Sequence, residues 1–335
     1  MSYRLEKKKV ISSIVKWVLI LGLLVFACIK YKSFFRDAMN EISDISAESI
    51  ALCAVLANLY FLAEGIIISK MTSKGEHTLS LLQGISCAYM CAFYRVSTLG
   101  SGTAVAQLYY YNAKKISVSR ASGMSMAQYT FMKITVGVMG ICSFTILILS
   151  GDKDVKKYWG YMLAGSIVIA LVCLFLFIIT VSEKISNLLI KLCYRLVKEK
   201  SKLYPKLADG EKAVKNLQEC GRMLWHDKLL FVQVILLNVF KFACWYCIPG
   251  IIFREQFDVG MLTCLLLMAV CNMIGCVMIA PSGVGTLEFV VTIFFGTIIP
   301  EGDVIAATLV IYRFFTWIVP FVIGIIPALF LRKNE

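Results

Sequence analysis

Histidine is almost missing: the 335 residues hold two, His77 and His226. A zinc site built on imidazoles is therefore not expected, and neither is acid–base chemistry tuned to neutral pH. Charge is scarce as well, at 16% of residues against 59% hydrophobic. With a mean hydropathy of +0.79, the chain lacks the polar surface that a soluble domain of this length needs. There is no nucleophile–base pair, no Walker loop and no metal box. No catalytic residue, metal ligand or cofactor is assigned. Cysteine is plentiful at 13, but most of it lies in apolar runs. Cys244-Trp-Tyr-Cys247 has CxxC spacing without a second pair, so the cysteines read as small buried apolar residues.

What the chain does have is apolar runs of about 20 residues, each able to cross a hydrocarbon core of roughly 30 Å. Full spans are expected at 10–29, 50–68, 122–150, 160–181, 229–252 and 304–331. The first run is too long for a signal h-region and ends at Lys30, so it is expected to stay uncleaved. The fold class that follows is an all-α polytopic membrane protein. Its net charge of +13 records topology and attraction to anionic membrane lipids rather than nucleic-acid binding. Segment 182–228 carries eleven Lys/Arg and is expected on the cytoplasmic side. Arg4, Lys7, Lys8 and Lys9, and the tail Arg332-Lys333, place both termini there too. Within the basic segment, Ile185, Leu188, Leu189, Leu192 and Leu196 share one helical face. This is either a helix lying on the cytoplasmic leaflet or an ordinary connector.

Two further apolar stretches, 78–111 and 261–299, are broken by glycine clusters at Ser97-Thr-Leu-Gly100-Ser-Gly102 and Ala280-Pro281-Ser-Gly283-Val-Gly285. Loop parity makes each begin and end on one side. The 34 residues of the first make about 51 Å of helix, short of the roughly 60 Å that two crossings need. Both are expected to be re-entrant hairpins. Gly100-Ser-Gly102-Thr103 recurs as Gly283-Val-Gly285-Thr286, Phe131 as Phe315, and Gly140-Ile141 as Gly324-Ile325, at near-constant spacing. Entering from opposite faces, these stretches form an inverted repeat. Its halves are 1–181 and 229–335, joined by 182–228 within one integral membrane domain. That architecture puts substrate at the midplane, between discontinuous helices.

Charged groups inside a span usually face a cavity or a partner. The candidates are Glu64, Arg95, Lys133, Lys241, Glu288 and Arg313. Arg313 lies too deep to snorkel, and Glu288 opens the helix after the second break. They are expected to pair, either as part of a substrate site or as a structural salt bridge. Lys133 falls one turn from the repeat-equivalent of Arg313. Glu64 and Lys241 read as nearer span ends or within snorkelling reach. Gln107 and Asn272 flank the breaks, and Thr103 and Thr286, after Gly102 and Gly285, are expected to cap the second helix of each hairpin. Such donors at helix N-termini suit a phosphate; helix–helix glue is the plainer alternative. Tyr109-Tyr110-Tyr111 reads as an interfacial belt.

Three blocks resemble the lysylphosphatidylglycerol synthase transmembrane region family, the flippase half of the bacterial multiple peptide resistance factor. Ser101-Gly102-Thr103-Ala-Val-Ala-Gln107-Leu-Tyr109-Tyr-Tyr, followed by the basic turn Lys114-Lys115-Ile-Ser-Val-Ser119, resembles its glycine-rich segment. Ala280-Pro281-Ser-Gly283-Val-Gly285-Thr-Leu-Glu288 resembles its P-G-x-x-G-x-x-E block. Tyr312-Arg313-Phe314 resembles the aromatic-Arg-aromatic signature of its last span. Thr103-Ala104-Val105 stand where many members have Gly-Gln-Pro. The resemblance implies a bacterial cytoplasmic-membrane protein that flips a polar or aminoacylated phospholipid such as lysylphosphatidylglycerol and confers resistance to cationic peptides. Arg313, with Lys133 or Arg95, would attract phosphate, and Glu288 would face a cationic head group. Full-length members append a soluble lysyltransferase domain, which this chain is expected to lack. Two other readings stand beside this one: a lysyltransferase component acting with a separate catalytic domain, and a non-transporting scaffold. A homo-oligomer is left open.

Overall fold

The computed structural model describes residues 40, 43, 45–73, 77–98, 100–150, 158–197, 204–257, 259–278 and 285–333. The expected span at 10–29 lies outside them, as does Gly283. In chain order the helices are α1 (Ala47–Thr72), α2 (Leu81–Ser97), α3 (Thr103–Ala113), α4 (Val118–Leu149), α5 (Trp159–Val181), α6 (Glu183–Leu196), α7 (Tyr204–His226), α8 (Lys228–Gln256), α9 (Met261–Val277), α10 (Thr286–Phe295) and α11 (Gly302–Arg313). A π-helical turn (Phe314–Ile318) joins α11 to α12 (Val319–Lys333). The protein is all-α and polytopic: α1, α4, α5, α8 and the run through α11 and α12 are each long and apolar enough to cross a bilayer.

Local chemistry sets the helix starts. Ser46 accepts the Ser49 N–H at 3.1 Å, Ser80 and Gln83 form a reciprocal capping box, and Asp227 accepts the Leu230 N–H at 3.0 Å. The two glycine-broken stretches are each a 17-residue helix followed by one of 11 or 10 residues. The second member reaches only about 16 Å, roughly half the hydrocarbon thickness. Each folds back on the first. Cys91 Sγ lies 3.8 Å from the Thr103 carbonyl oxygen, and a side chain added at Gly275 would meet Leu287. Positive φ at Gly100 (90°) and Gly285 (84°) turns the backbone, one glycine in each break.

Contacts recur with the partners exchanged. Glu64 on α1 pairs with Lys241 on α8, and Tyr60 stacks on Trp245 with ring centres 3.6 Å apart. Each pair is the image of the other at a spacing of 181 residues. A Cβ at Gly324 on α12 would strike the Tyr89 carbonyl and Phe93 on α2, and one at Gly140 on α4 would strike Met273 on α9. Gly250 sits on Cys264 as Gly84 sits on Ser69. Along α1 and α8 the partners run Tyr60–Trp245, Glu64–Lys241 and Lys70–Gln233, so these two helices are antiparallel.

The helical glycines differ in what surrounds them, and this separates two substitutions. At Gly324 and Gly140 the obstacle is an atom that moves only with its backbone, the Tyr89 carbonyl and the Met273 Cβ, whereas beside Gly210 on α7 there is open space. Gly324→Ala is expected to cost about 1–3 kcal/mol through overpacking, partly offset by a helix-propensity gain of about 1 kcal/mol. Gly210→Ala meets no obstacle and is expected to keep the whole helix-propensity gain of about 1 kcal/mol. Denaturation of the two variants side by side in detergent checks the order.

Of the two readings of the basic segment, the ordinary connector does not hold. The segment forms two helices, and α7 is part of the bundle. Leu217 and Leu224 are buried, Ser119 donates to Asn216 at 2.7 Å and Asn216 to Ser122 at 3.0 Å, and Gln218 donates to the Ile179 carbonyl at 2.8 Å. A Cβ at Gly123 would overlap the Asn216 carbonyl. A short apolar stripe of Leu217, Cys220 and Leu224 docks α7, flanked by the Ser, Asn, Gln and glycine contacts, and the many charges around that stripe hide it in the sequence.

Candidate functional site

Two guanidinium groups meet on one indole within the bundle. Arg313 lies 4.7 Å from the centre of the Trp317 ring and Arg95, from α2, lies 5.5 Å from it. Arg95 also stands 5.7 Å from Trp245. Aromatic faces favour cations in a dry setting, which is how two like charges are held together here. Arg313 Nε donates to Glu288 Oε1 at 2.5 Å, and Glu288 Oε2 accepts the Gly285 N–H at 2.8 Å. The carboxylate thus sits on the positive end of α10 and against a guanidinium at once. Both side chains keep partial access, at 20% for Arg313 and 30% for Glu288.

The π-turn explains how Arg313 and Thr316 are presented. In an α-helix the Thr316 carbonyl would accept from residue 320, but that residue is Pro320, which has no N–H and whose ring crowds that carbonyl. The helix widens over Phe314–Ile318, with the Val319 N–H bonded to the Phe314 carbonyl. Arg95 Nη2 donates to the Thr316 carbonyl at 3.1 Å. One arm of Arg95 is therefore committed to the backbone, a role its sequence position does not announce. Its Nε is buried and has no hydrogen-bond partner; neither has Trp245 Nε1. Of the six buried side-chain atoms without a partner among the described residues, these are the two nitrogen donors, and each is a position where a water or a ligand can bond.

The other half presents the same pair in reverse order. Lys133 lies 5.5 Å from the Tyr129 ring, four residues before it, whereas Arg313 lies on Trp317, four residues after it. Lys133 has Cys276 of α9 beside it.

A second polar cluster is larger than its sequence positions suggest. Lys241 is fully buried and ion-paired to Glu64, not snorkelling. Its ammonium also lies 5.3 Å from the Tyr60 ring and 5.2 Å from Phe242. Gln128 Nε2 donates to the other Glu64 oxygen at 2.6 Å, and Gln107 Nε2 donates to Gln128 Oε1 at 2.7 Å and to the Tyr111 hydroxyl at 3.0 Å. The chain of bonds runs Tyr111, Gln107, Gln128, Glu64, Lys241, through α3, α4, α1 and α8. Antiparallel packing of α1 on α8 covers it. The Gln107 amide is thereby spent inside the protein rather than offered at a helix N-terminus. Tyr110 and Tyr111 are buried, so they form no interfacial belt: α3 folds back against α2 and α4.

The remaining candidates fall as follows. Gly102 and Gly285 are the residues before α3 and α10, so Thr103 and Thr286 open those helices instead of capping them. Thr103 Oγ1 donates to the Gly100 carbonyl at 3.3 Å. Asn272 donates to the Met268 carbonyl at 3.0 Å, one turn back in its own helix. Among the described residues no cluster of His, Cys, Asp and Glu can hold a metal ion.

None of the curated proteins compared with the chain matches it. A family model does: residues 13–324 match the lysylphosphatidylglycerol synthase TM region, and the chain belongs to that family.

Proposed function

We propose that this multi-pass membrane protein carries a polar phospholipid, an aminoacylated one such as lysylphosphatidylglycerol, across the bacterial cytoplasmic membrane. In this reading the halves 1–181 and 229–335 are inverted repeats related across the antiparallel α1–α8 contact, and both termini are cytoplasmic. The observation that carries the reading is the pair Arg95 and Arg313 on Trp317, with unpaired buried donors at Arg95 Nε and Trp245 Nε1 and a carboxylate alongside. A phosphodiester with an attached ammonium matches that set. Its oxygens take the guanidinium and indole N–H groups, and its ammonium takes Glu288 and the aromatic faces. The acyl chains stay in lipid, so no enclosed pocket for them is needed. Lys133 on Tyr129 supplies the second cationic station when one half rocks against the other. Passage of lysylphosphatidylglycerol to the outer leaflet lowers surface negative charge, which is the physical basis of resistance to cationic peptides.

The test is head-group movement in proteoliposomes. Fluorescent lysylphosphatidylglycerol and phosphatidylglycerol are compared by a membrane-impermeant quencher. Loss of inner-leaflet protection well above empty liposomes is the expected result. No movement of either lipid would remove both as substrates.

A further inference from the structure

The geometry points to α6 as a surface that seats on the anionic head-group layer of the membrane beside α5. This does not rest on the transport reading, because it concerns a different part of the molecule and holds whichever reaction the bundle performs.

The placement starts with α5, which ends at Val181. Ser182, in an extended conformation, caps α6 by accepting the Ile185 N–H at 3.4 Å. Whichever face of the membrane α5 leaves by, α6 begins within one residue of it. The side of α6 turned to the protein is polar and small. Ser186 is buried, and Gln218 of α7 hydrogen-bonds to it. Glu183 is held by Arg222 at 2.6 Å, and Tyr194 donates to Glu211 of α7 at 3.3 Å.

Centred about a third of a turn from Ser186 lies an exposed apolar stripe. Ile185, Leu188 and Leu192 follow at helical spacing and are 42, 66 and 50% exposed. For a water-soluble helix this would be a misplaced apolar face. Here the preceding helix is itself apolar on the outside, for Leu174, Phe175, Phe177 and Val181 on α5 are exposed. An apolar stripe that begins four residues after the exposed Val181 of a spanning helix fits lipid better than a soluble partner. The flank beyond the stripe holds Lys184, Lys191 and Arg195, all exposed. Apolar stripe and cationic flank together are the signature of a helix lying in the interface of an anionic leaflet. Each such cation contributes about five-fold in partition at low ionic strength.

The experiment uses the full chain reconstituted in vesicles of phosphatidylcholine alone, or with phosphatidylglycerol. Leu188→Trp places a reporter on the stripe and Asn187→Trp places one about 100° round the helix; each is read as a difference from the parent protein. Lipids brominated near the glycerol end of the acyl chain are the quenchers. Leu188→Trp is expected to be quenched at least two-fold more than Asn187→Trp in phosphatidylglycerol vesicles. Replacing Lys184, Lys191 and Arg195 with glutamine should bring the quenching in those vesicles down to the phosphatidylcholine level. Hydrogen exchange on unmodified protein gives an independent readout: α6 amides should exchange more slowly in the anionic bilayer. Equal quenching in both lipids overturns the anionic preference. A Leu188→Trp reporter reached by aqueous acrylamide and not by brominated lipid overturns the membrane seat. Shielding that depends on protein concentration assigns the stripe to a second copy instead.

Discussion

Removing one member of the Glu64–Lys241 pair is expected to destabilise the protein more than any other single side-chain change in the bundle. Lys241→Met leaves the Glu64 carboxylate to the Gln128 amide, and Glu64→Gln leaves a fully buried ammonium among aromatic rings. Breaking a buried pair in this way typically costs about 3–5 kcal/mol, because the surviving charge is stranded. The double variant Glu64→Gln with Lys241→Met strands no charge. The new amide oxygen at position 64 still accepts from Gln128, and methionine fills most of the lysine volume. It should recover most of the loss. Denaturation of the two single variants and the double variant closes the cycle. Strictly additive losses, or singles that each cost under about 1 kcal/mol, would show that the pair does not hold α1 to α8.

That pair also marks where the sequence stops being informative. The spans are legible because about 20 apolar residues in a row have few other uses, and five of the expected ones reappear within a few residues, as α1, α4, α5, α8 and the run through α11 and α12. The breaks are legible because glycine clusters stand out in an apolar run, and the helices stop at Ser97 and Val277 and resume at Thr103 and Thr286. The recurrence of Gly140 as Gly324 is visible in the letters. Only the packing shows why: each glycine lets its helix approach the first helix of the opposite hairpin.

Registers between distant helices are not legible. Lys241 lies well inside α8, yet its depth alone does not say whether it faces lipid, a cavity or Glu64, which is 177 residues away. Gln128 carries no signal in an apolar helix until Glu64 is placed beside it. Pro320 does carry a readable signal, since proline removes the donor that the Thr316 carbonyl would use. Combining it with Arg95 needs the tertiary contact between α2 and the last span. The same holds for α7, whose docking combines a three-residue stripe, Leu217, Cys220 and Leu224, with a few amides and Gly123.

Arg313 carries the prediction that separates a substrate site from a structural lock. If the Glu288 pair only fastens α10 to α11, Arg313→Ala should lower stability and transport together, and Arg313→Lys should rescue both, since an ammonium can still meet the carboxylate. If the guanidinium also holds a phosphate, charge is not enough. Its planar fork meets Glu288 through Nε while stacked on Trp317, and a guanidinium carries further N–H groups on both Nη atoms. Lysine offers a point charge without the stack or the fork. A lost charge-assisted hydrogen bond is worth about 1.5–3 kcal/mol, or roughly 10- to 150-fold in rate. Head-group movement by Arg313→Ala should therefore fall about 10- to 150-fold, and Arg313→Lys should stay well below the parent even where its melting temperature is restored. Glu288→Gln supplies the complementary arm. It removes the partner for an ammonium but spares the phosphate donors, so it should slow lysylphosphatidylglycerol more than phosphatidylglycerol. Equal slowing of the two lipids, with transport following stability across all three variants, would reduce Arg313–Glu288 to a fastening and move the search for the head-group site to Lys133 and Tyr129.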